Sequence, residues 1–229
     1  MARSAASTPG TMNTIGILGG AFDPIHFGHL RMAQELAEIC RLDQVRFIPT
    51  ANPPHRSQPR ATPDQRLAMV KLAIADNPVF CCDEREISRH AEKSSPSYTI
   101  DTLQSLNIEL GEEVAICLLL GSDAFLGLPT WHRWEELLDY CHIIVAHRPS
   151  AALQAQDLPL PLKQLWDKSG ITDAVELAKN KAGRIMLLPI TPLDISSTRI
   201  RENLKLGKSP RYLMPNAVID YIEAQPLYF

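Results

Sequence analysis

Apolar positions along this chain fall into blocks that switch between strand-like runs and helix-like spacing. Residues 14–18 (TIGIL) predict a strand that passes through Gly19-Gly20 and a Pro24 turn into a helix marked by Met32, Leu36 and Ile39. Residues 44–49 (QVRFIP) predict a second strand, followed by the Pro-rich turn segment TANPPHRSQPRAT, in which no regular element fits. Thr62-Pro63-Asp64-Gln65 then supplies an N-cap, a helix-initiating Pro and a capping-box Gln, with Leu67, Val70 and Ile74 as the expected buried face. A third strand is expected at residues 79–82, and the polar stretch DEREISRHAEKSSPS reads as a loop with an edge strand. A further helix carries Ile100, Leu103 and Leu106.

Residues 114–120 (VAICLLL) form the most apolar run. Lacking alternation, they suit a central parallel strand covered on both faces. Thr130 is expected to cap a helix carrying Trp134, Leu137 and Leu138, and residues 142–146 (HIIVA) predict another buried strand. Between residues 150 and 183 the rhythm weakens. Pro159 and Pro161 interrupt it, and one amphipathic helix is expected at residues 172–181, so this region reads as an insertion or lid. Residues 184–188 resume the sheet, ISSTRIR (residues 195–201) opens a helix, and residues 215–224 supply the last one.

Strands alternating with helices predict an α/β fold, a Rossmann-like doubly wound parallel sheet with helices on both faces. Residues 14–229 are expected to form one domain, with residues 1–13 a flexible extension. In such sheets ligands bind beyond the carboxyl ends of the strands. The segments in that position, GGAFDPIHFGH, TANPPHR, GSDAFLGLPTW, HRP and the run into ISSTRIR, also hold most of the chemically interesting residues.

Composition narrows the classes of ligand. The 229 residues carry a formal net charge of -3 and no long Lys or Arg run, so the electrostatic footprint of a protein that grips nucleic acid is missing. Five cysteines, Cys40, Cys81, Cys82, Cys117 and Cys141, form no CxxC pair and predict free thiols in a reducing, cytoplasmic compartment. No apolar stretch is long enough to span a bilayer, and residues 1–13 contain no apolar leader region.

A strand, a glycine turn and a helix start at Gly19, Gly20 and Gly28 concentrate backbone N–H groups and the positive end of a helix dipole, where phosphate binds. His26 and His29 stand at that point. Two imidazoles three residues apart are poorly explained by packing, and zinc would need further ligands that no His or Cys cluster offers. Neither GxxxxGK[ST] nor GxGxxG occurs, so the common phosphate fingerprints do not apply.

GGAFDPIHFGHL resembles the GxFDPxHxGH signature of the nucleotidyltransferases related to class I aminoacyl-tRNA synthetases, and ISSTRIR resembles their second signature. With NPPHR, PSYTIDTL, LLGSDAFLGLPTW and the ending YIEAQPLY, the chain is similar to the bacterial nicotinate-nucleotide adenylyltransferases. That resemblance implies transfer of AMP from ATP to nicotinic acid mononucleotide, with Mg²⁺ accompanying ATP and no metal ligand from the protein. It implies His26 and His29 as catalytic residues, and Gly19, Gly20, Phe22, Gly28, Asp123, Arg148, Ser196, Ser197, Thr198 and Arg201 on the ATP side. On the acceptor side it implies Asn52, His55, Arg56, Tyr98, Thr99, Trp131 and His132. Asp before Pro is also a common turn residue, so Asp23 reads mainly as structural. Rival readings are a transferase preferring nicotinamide mononucleotide or phosphopantetheine, and a nucleotide sensor without transfer activity. The expected partners are small molecules, not nucleic acid or membrane, and a homo-oligomer is compatible with the reading.

Overall fold

The computed structural model describes residues 12–51, 58–93, 96–148, 153–191 and 193–229. β1 (Asn13–Gly20) turns into α1 (Phe27–Ile39), and β2 (Gln44–Pro49) leads to α2 (Pro63–Ile74). β3 (Phe80–Cys82), α3 (Arg85–Lys93) and α4 (Thr99–Leu110) follow, then β4 (Val114–Gly121), the short α5 (Ser122–Leu126) and α6 (Leu137–Tyr140), and β5 (His142–His147). α7 (Leu160–Ser169) and β6 (Gly170–Ile171) precede β7 (Ile185–Pro189), α8 (Ser197–Lys205) and α9 (Asn216–Ala224).

Among the described residues the strands form one sheet in the order β3-β2-β1-β4-β5-β7-β6, parallel at every junction. Parallel pairing brings every strand's carboxyl end to the same edge. The order reverses at β1, whose neighbours β2 and β4 lie on opposite sides, and ligand crevices of such sheets open at this reversal. β4 shows why the apolar run lacks alternation. Cys117 and Leu119 join the core that includes Leu36, Val70 and Ile222, while Ile116 and Leu118 join the opposite core with Ile100, Leu103 and Leu162.

Several expectations are corrected. β1 begins at Asn13, and the Met12 N–H bonds the Ala178 carbonyl at 2.9 Å, so residues 12 and 13 belong to the fold rather than to an extension. In α1 the buried positions are Ala33, Glu35, Leu36 and Ala37, whereas Ile39 is exposed. The polar stretch after β3 is helical from Arg85 to Lys93. Its anchors are polar, with Glu86 accepting from the Thr102 hydroxyl at 2.8 Å and Arg85 bridging Asp83 and Glu109, so a count of apolar residues does not reveal it. Thr130 caps no helix; its hydroxyl bonds the Gly127 carbonyl, and 3-10 turns occupy residues 128–130 and 134–136.

In the 150–183 region the helix is α7, and Ala174–Lys179 is a 3-10 helix capped by Asp173. Leu158, Leu162 and Leu177 are buried and β6 forms a sheet edge, so the described part of this segment is built into the core.

α2 starts as its sequence predicts, with Thr62 and Gln65 exchanging both capping-box bonds. Its buried face, however, is Arg66, Met69, Val70 and Ile74. Arg66 is fully buried, and its guanidinium donates to the carbonyls of Ala21 at 2.7 Å and of Ala51 and Ala61 at 3.3 Å. One cation thereby ties together the segments after β1 and β2 and the start of α2. Arg66→Met keeps the aliphatic stem but strands three carbonyls. It should lower unfolding free energy in urea by about 3 kcal/mol, whereas a loss below about 1 kcal/mol would show that those carbonyls find other donors.

Candidate active site

At the reversal point, β1 delivers Gly19 and Gly20 to the carboxyl edge, and the next nine residues carry both histidines. A Cβ at Gly19 would meet nothing within 4 Å, so the backbone there is open to approach. A Cβ at Gly20 would lie 3.1 Å from the Phe22 ring. Phe22 itself is buried with φ at 48°, and its ring meets His29 edge-on at 5.2 Å between centroids. Its side chain therefore buttresses a histidine, and any contact it makes with a ligand falls to its backbone.

The Asp23-Pro24 peptide is cis, and the turn ends at His26, the N-cap of α1. The His26 N–H donates to His29 Nδ1 at 3.3 Å, and the two rings stack with centroids 3.8 Å apart. His26 is buried and its Nδ1 has no partner among the described residues. A Cβ at Gly28 would sit 3.0 Å from the His26 ring and 3.6 Å from the Ile195 carbonyl. The space that glycine leaves is thus occupied by an imidazole and by the approach of the second signature, not held open for a ligand.

The second signature locks onto the first. The Ser197 hydroxyl donates to the Pro24 carbonyl at 2.9 Å, and Arg201 donates to the Asp23 carbonyl at 2.7 Å and to the Thr198 hydroxyl at 3.3 Å. Ser196 is the N-cap of α8, accepting from the Arg199 N–H. Arg199 and Arg148 both pair with the exposed Asp194, at 3.1 and 3.4 Å, which brings the end of β5 to the entry of α8.

The acceptor-side candidates form a second group. Tyr98 is the N-cap of α4, Thr99 is its first residue, and the Tyr98 ring lies 4.3 Å from that of His132. Trp131 is half-buried against the core that holds Leu128 and Leu137. Asp123 is exposed in the first turn of α5, directly beyond β4. Asn52, His55 and Arg56 lie outside the described residues.

Asp23 has the structural role its sequence suggests, but sequence reasoning missed its partners: the carboxylate is buried and accepts from the Arg60 N–H at 2.8 Å, the Ala61 N–H at 3.1 Å and the Tyr228 hydroxyl at 2.7 Å. Arg66 was hidden by its charge, although its spacing from Met69, Val70 and Ile74 is that of a buried helical face. Glu86 beneath the start of α4 was hidden in the same way.

Comparison with known proteins places these features in a family context. The cytidylyltransferase-like family model matches residues 17–203. A protein of Pseudomonas syringae pv. tomato named probable nicotinate-nucleotide adenylyltransferase is 48% identical over 214 residues, covering 93% of each chain. One of the same name from Halorhodospira halophila is 48% identical over 207 residues, covering 90% of this chain and 91% of its own. The fold is similar to that of the Plasmodium falciparum nicotinic acid mononucleotide adenylyltransferase solved with NaAD. The TM-score is 0.68 at 19% identity, with 94% of this chain and 97% of that one covered.

The site also carries a pH signature. Burial pushes His26 down from its ordinary 6.5 to about 4, so the ring is neutral near pH 7. The unfolded chain takes up this proton near 6.5, while the folded chain resists it until about 4. Stability from His26 is therefore complete above the unfolded value and is lost as pH falls through that window, by up to about 1.4 kcal/mol per pH unit. Burial moves Glu86 the other way, up to about 7, so its contribution falls as pH rises from 4.5 toward 7. The two oppose each other, and a residue-specific reading is needed. The His26 ring should titrate below pH 5 by NMR, and His26→Asn should flatten the acid loss of stability; a midpoint near 6.5 would contradict the burial account.

Proposed function

Because the chain belongs to the nicotinate-nucleotide adenylyltransferase family, we propose that it transfers the AMP moiety of ATP to nicotinic acid mononucleotide, forming deamido-NAD and pyrophosphate. In this reading a phosphate oxygen of the mononucleotide attacks the α-phosphorus of ATP, a new P–O bond forms, and the bond to the β-phosphate breaks as pyrophosphate leaves. Negative charge gathers on the phosphoryl oxygens during that exchange. The protein's task is positioning and charge stabilisation rather than nucleophilic attack.

The observation that carries the reading is the locking of two distant motifs into one unit, through the Ser197–Pro24 and Arg201–Asp23 bonds beside a stacked imidazole pair. A phosphate group at the start of α1 would give His26 Nδ1 the partner it lacks among the described residues and would meet His29 and the open backbone at Gly19. His26 acts as a hydrogen-bonding group toward that phosphate. Ser197 and Arg201 serve first as supports of the turn, while Ser196, Thr198 and the start of α8 face the outer phosphates. Arg148 exchanges Asp194 for ATP, and Asp123 meets a ribose hydroxyl or a metal-bound water.

Nucleotidyltransferases of this kind generally use a divalent metal with ATP, and Mg²⁺ is the ion proposed here. Hard cations require oxygen ligands. The nucleotide's own phosphate oxygens would hold the ion, and Asp123, exposed beyond β4, would hold a metal-bound water. When bound, the ion neutralises phosphate charge.

On the acceptor side, Trp131 offers a stacking face for the pyridine ring, and the N–H groups near Tyr98, Thr99 and His132 receive its carboxylate. Asn52, His55 and Arg56 meet the mononucleotide phosphate. Among the described residues no helix is long and apolar enough to cross a membrane, and small-molecule substrates suffice as partners.

Donors arranged for a carboxylate are left unpaired by an amide. Turnover on nicotinic acid mononucleotide should exceed that on nicotinamide mononucleotide or phosphopantetheine, measured as pyrophosphate release. Equal use of the amide would overturn the acceptor assignment, and binding without release would favour the sensor. His29→Ala should lose on the order of 3 kcal/mol of transition-state stabilisation with its fold intact by circular dichroism; near-normal kcat would remove His29 from the chemistry.

A further inference from the structure

Asp23 lies three residues before His26, and its carboxylate is gripped from three parts of the chain. We propose that Tyr228 is a positioning residue for the transfer reaction, its phenol holding the histidine-bearing turn in register through Asp23. The proposal rests on the roles given above to His26 and His29.

Tyr228 is buried at 8% exposure, next to the last residue in the sequence, and its hydroxyl donates to Asp23 Oδ1 at 2.7 Å. Its φ of 73° is a conformation that side-chain-bearing residues rarely adopt. The tail is held there by contacts, among them the Leu227 N–H on the Ile222 carbonyl at 3.0 Å and the packing of Tyr228 into the core that includes Phe22 and Ile200. Burial, with Asp23 alongside, raises the phenol well above its usual range, so it remains a donor at any pH the fold experiences.

The other donors to this carboxylate are backbone N–H groups of Arg60 and Ala61, and Arg201 approaches Oδ2 at 3.8 Å while bonding the Asp23 carbonyl. The backbone bonds orient Asp23 toward the entry of α2. Tyr228 adds the direct side-chain hydroxyl bond, and it pulls on the same oxygen that Ala61 uses. Asp23 is thereby held between α2 and the carboxyl tail, and the cis turn that begins with it delivers His26 to the head of α1. Phenylalanine at 228 would fill the same space and keep the packing. What it removes is the restraint on the carboxylate, and with it the exact setting of the two imidazoles relative to reacting phosphates. Rate is steep in such displacements.

The test compares full-length wild type with Tyr228→Phe and Tyr228→Leu, reading kcat and both KM values together with amide hydrogen exchange. In Tyr228→Phe, kcat should fall by at least about tenfold while the KM values for ATP and the mononucleotide stay within about twofold, because positioning and not binding is lost. Exchange should quicken in residues 21–30 and 58–62 and stay slow in β4. Tyr228→Leu should lose stability as well, which separates filling from hydrogen bonding. A Tyr228→Phe enzyme with kcat within about twofold of wild type, or one whose exchange quickens uniformly through β4, would overturn the proposal. Failure of the wild type to release pyrophosphate would instead overturn the transfer reading, and the exchange measurement would still decide whether Tyr228 restrains the turn.

Discussion

A buried carboxylate must find donors or forfeit its charge, and Asp23 finds them in three separate parts of the chain. Backbone N–H groups at Arg60 and Ala61, the hydroxyl of Tyr228 and the guanidinium of Arg201 all converge on this one residue. A charge removed from water at this depth is tolerated only when so surrounded. The turn bearing His26 is thereby tied to the start of α2, the second signature and the carboxyl tail.

Arg66 complements it with opposite charge and opposite chemistry. Its guanidinium serves backbone carbonyls of the segments around Asp23, so the loops at the sheet's carboxyl edge are fastened from beneath by a cation and from within by an anion. The imidazole pair rests on this frame in a different state. His26 is neutral near pH 7, buried and, among the described residues, short of one hydrogen-bond partner, a condition that favours a polar ligand over a dry contact.

Features that depend on local sequence alone were legible. The Thr62 capping box, the both-sided burial of β4 and the glycine turn after β1 arise from neighbours within a few residues, and each stands where its residues predict it. Features that depend on charged groups in buried places were not. Arg85–Lys93 carries so few apolar residues that it resembles a loop, and its buried position is Glu86 meeting Thr102 from α4. Arg66 occupies a core position that a hydropathy pattern assigns to solvent. The hydroxyls and Arg of the second signature were legible as residue types, but not that Ser197 and Arg201 bond the carbonyls of Pro24 and Asp23.

By itself the sequence determined the alternation of strands and helices, and hence the parallel sheet whose carboxyl ends gather the chemically active segments. It also determined the residue types at those ends, two imidazoles beside glycines and a hydroxyl-rich helix start. Only the tertiary structure decided which of those residues hold one another. The reason is that hydrogen-bond donors and acceptors carry no mark of their partner along the chain. Tyr228 and Asp23 are 205 positions apart, and nothing but the packing of α9 and its tail against the sheet puts the hydroxyl of one on the carboxylate of the other.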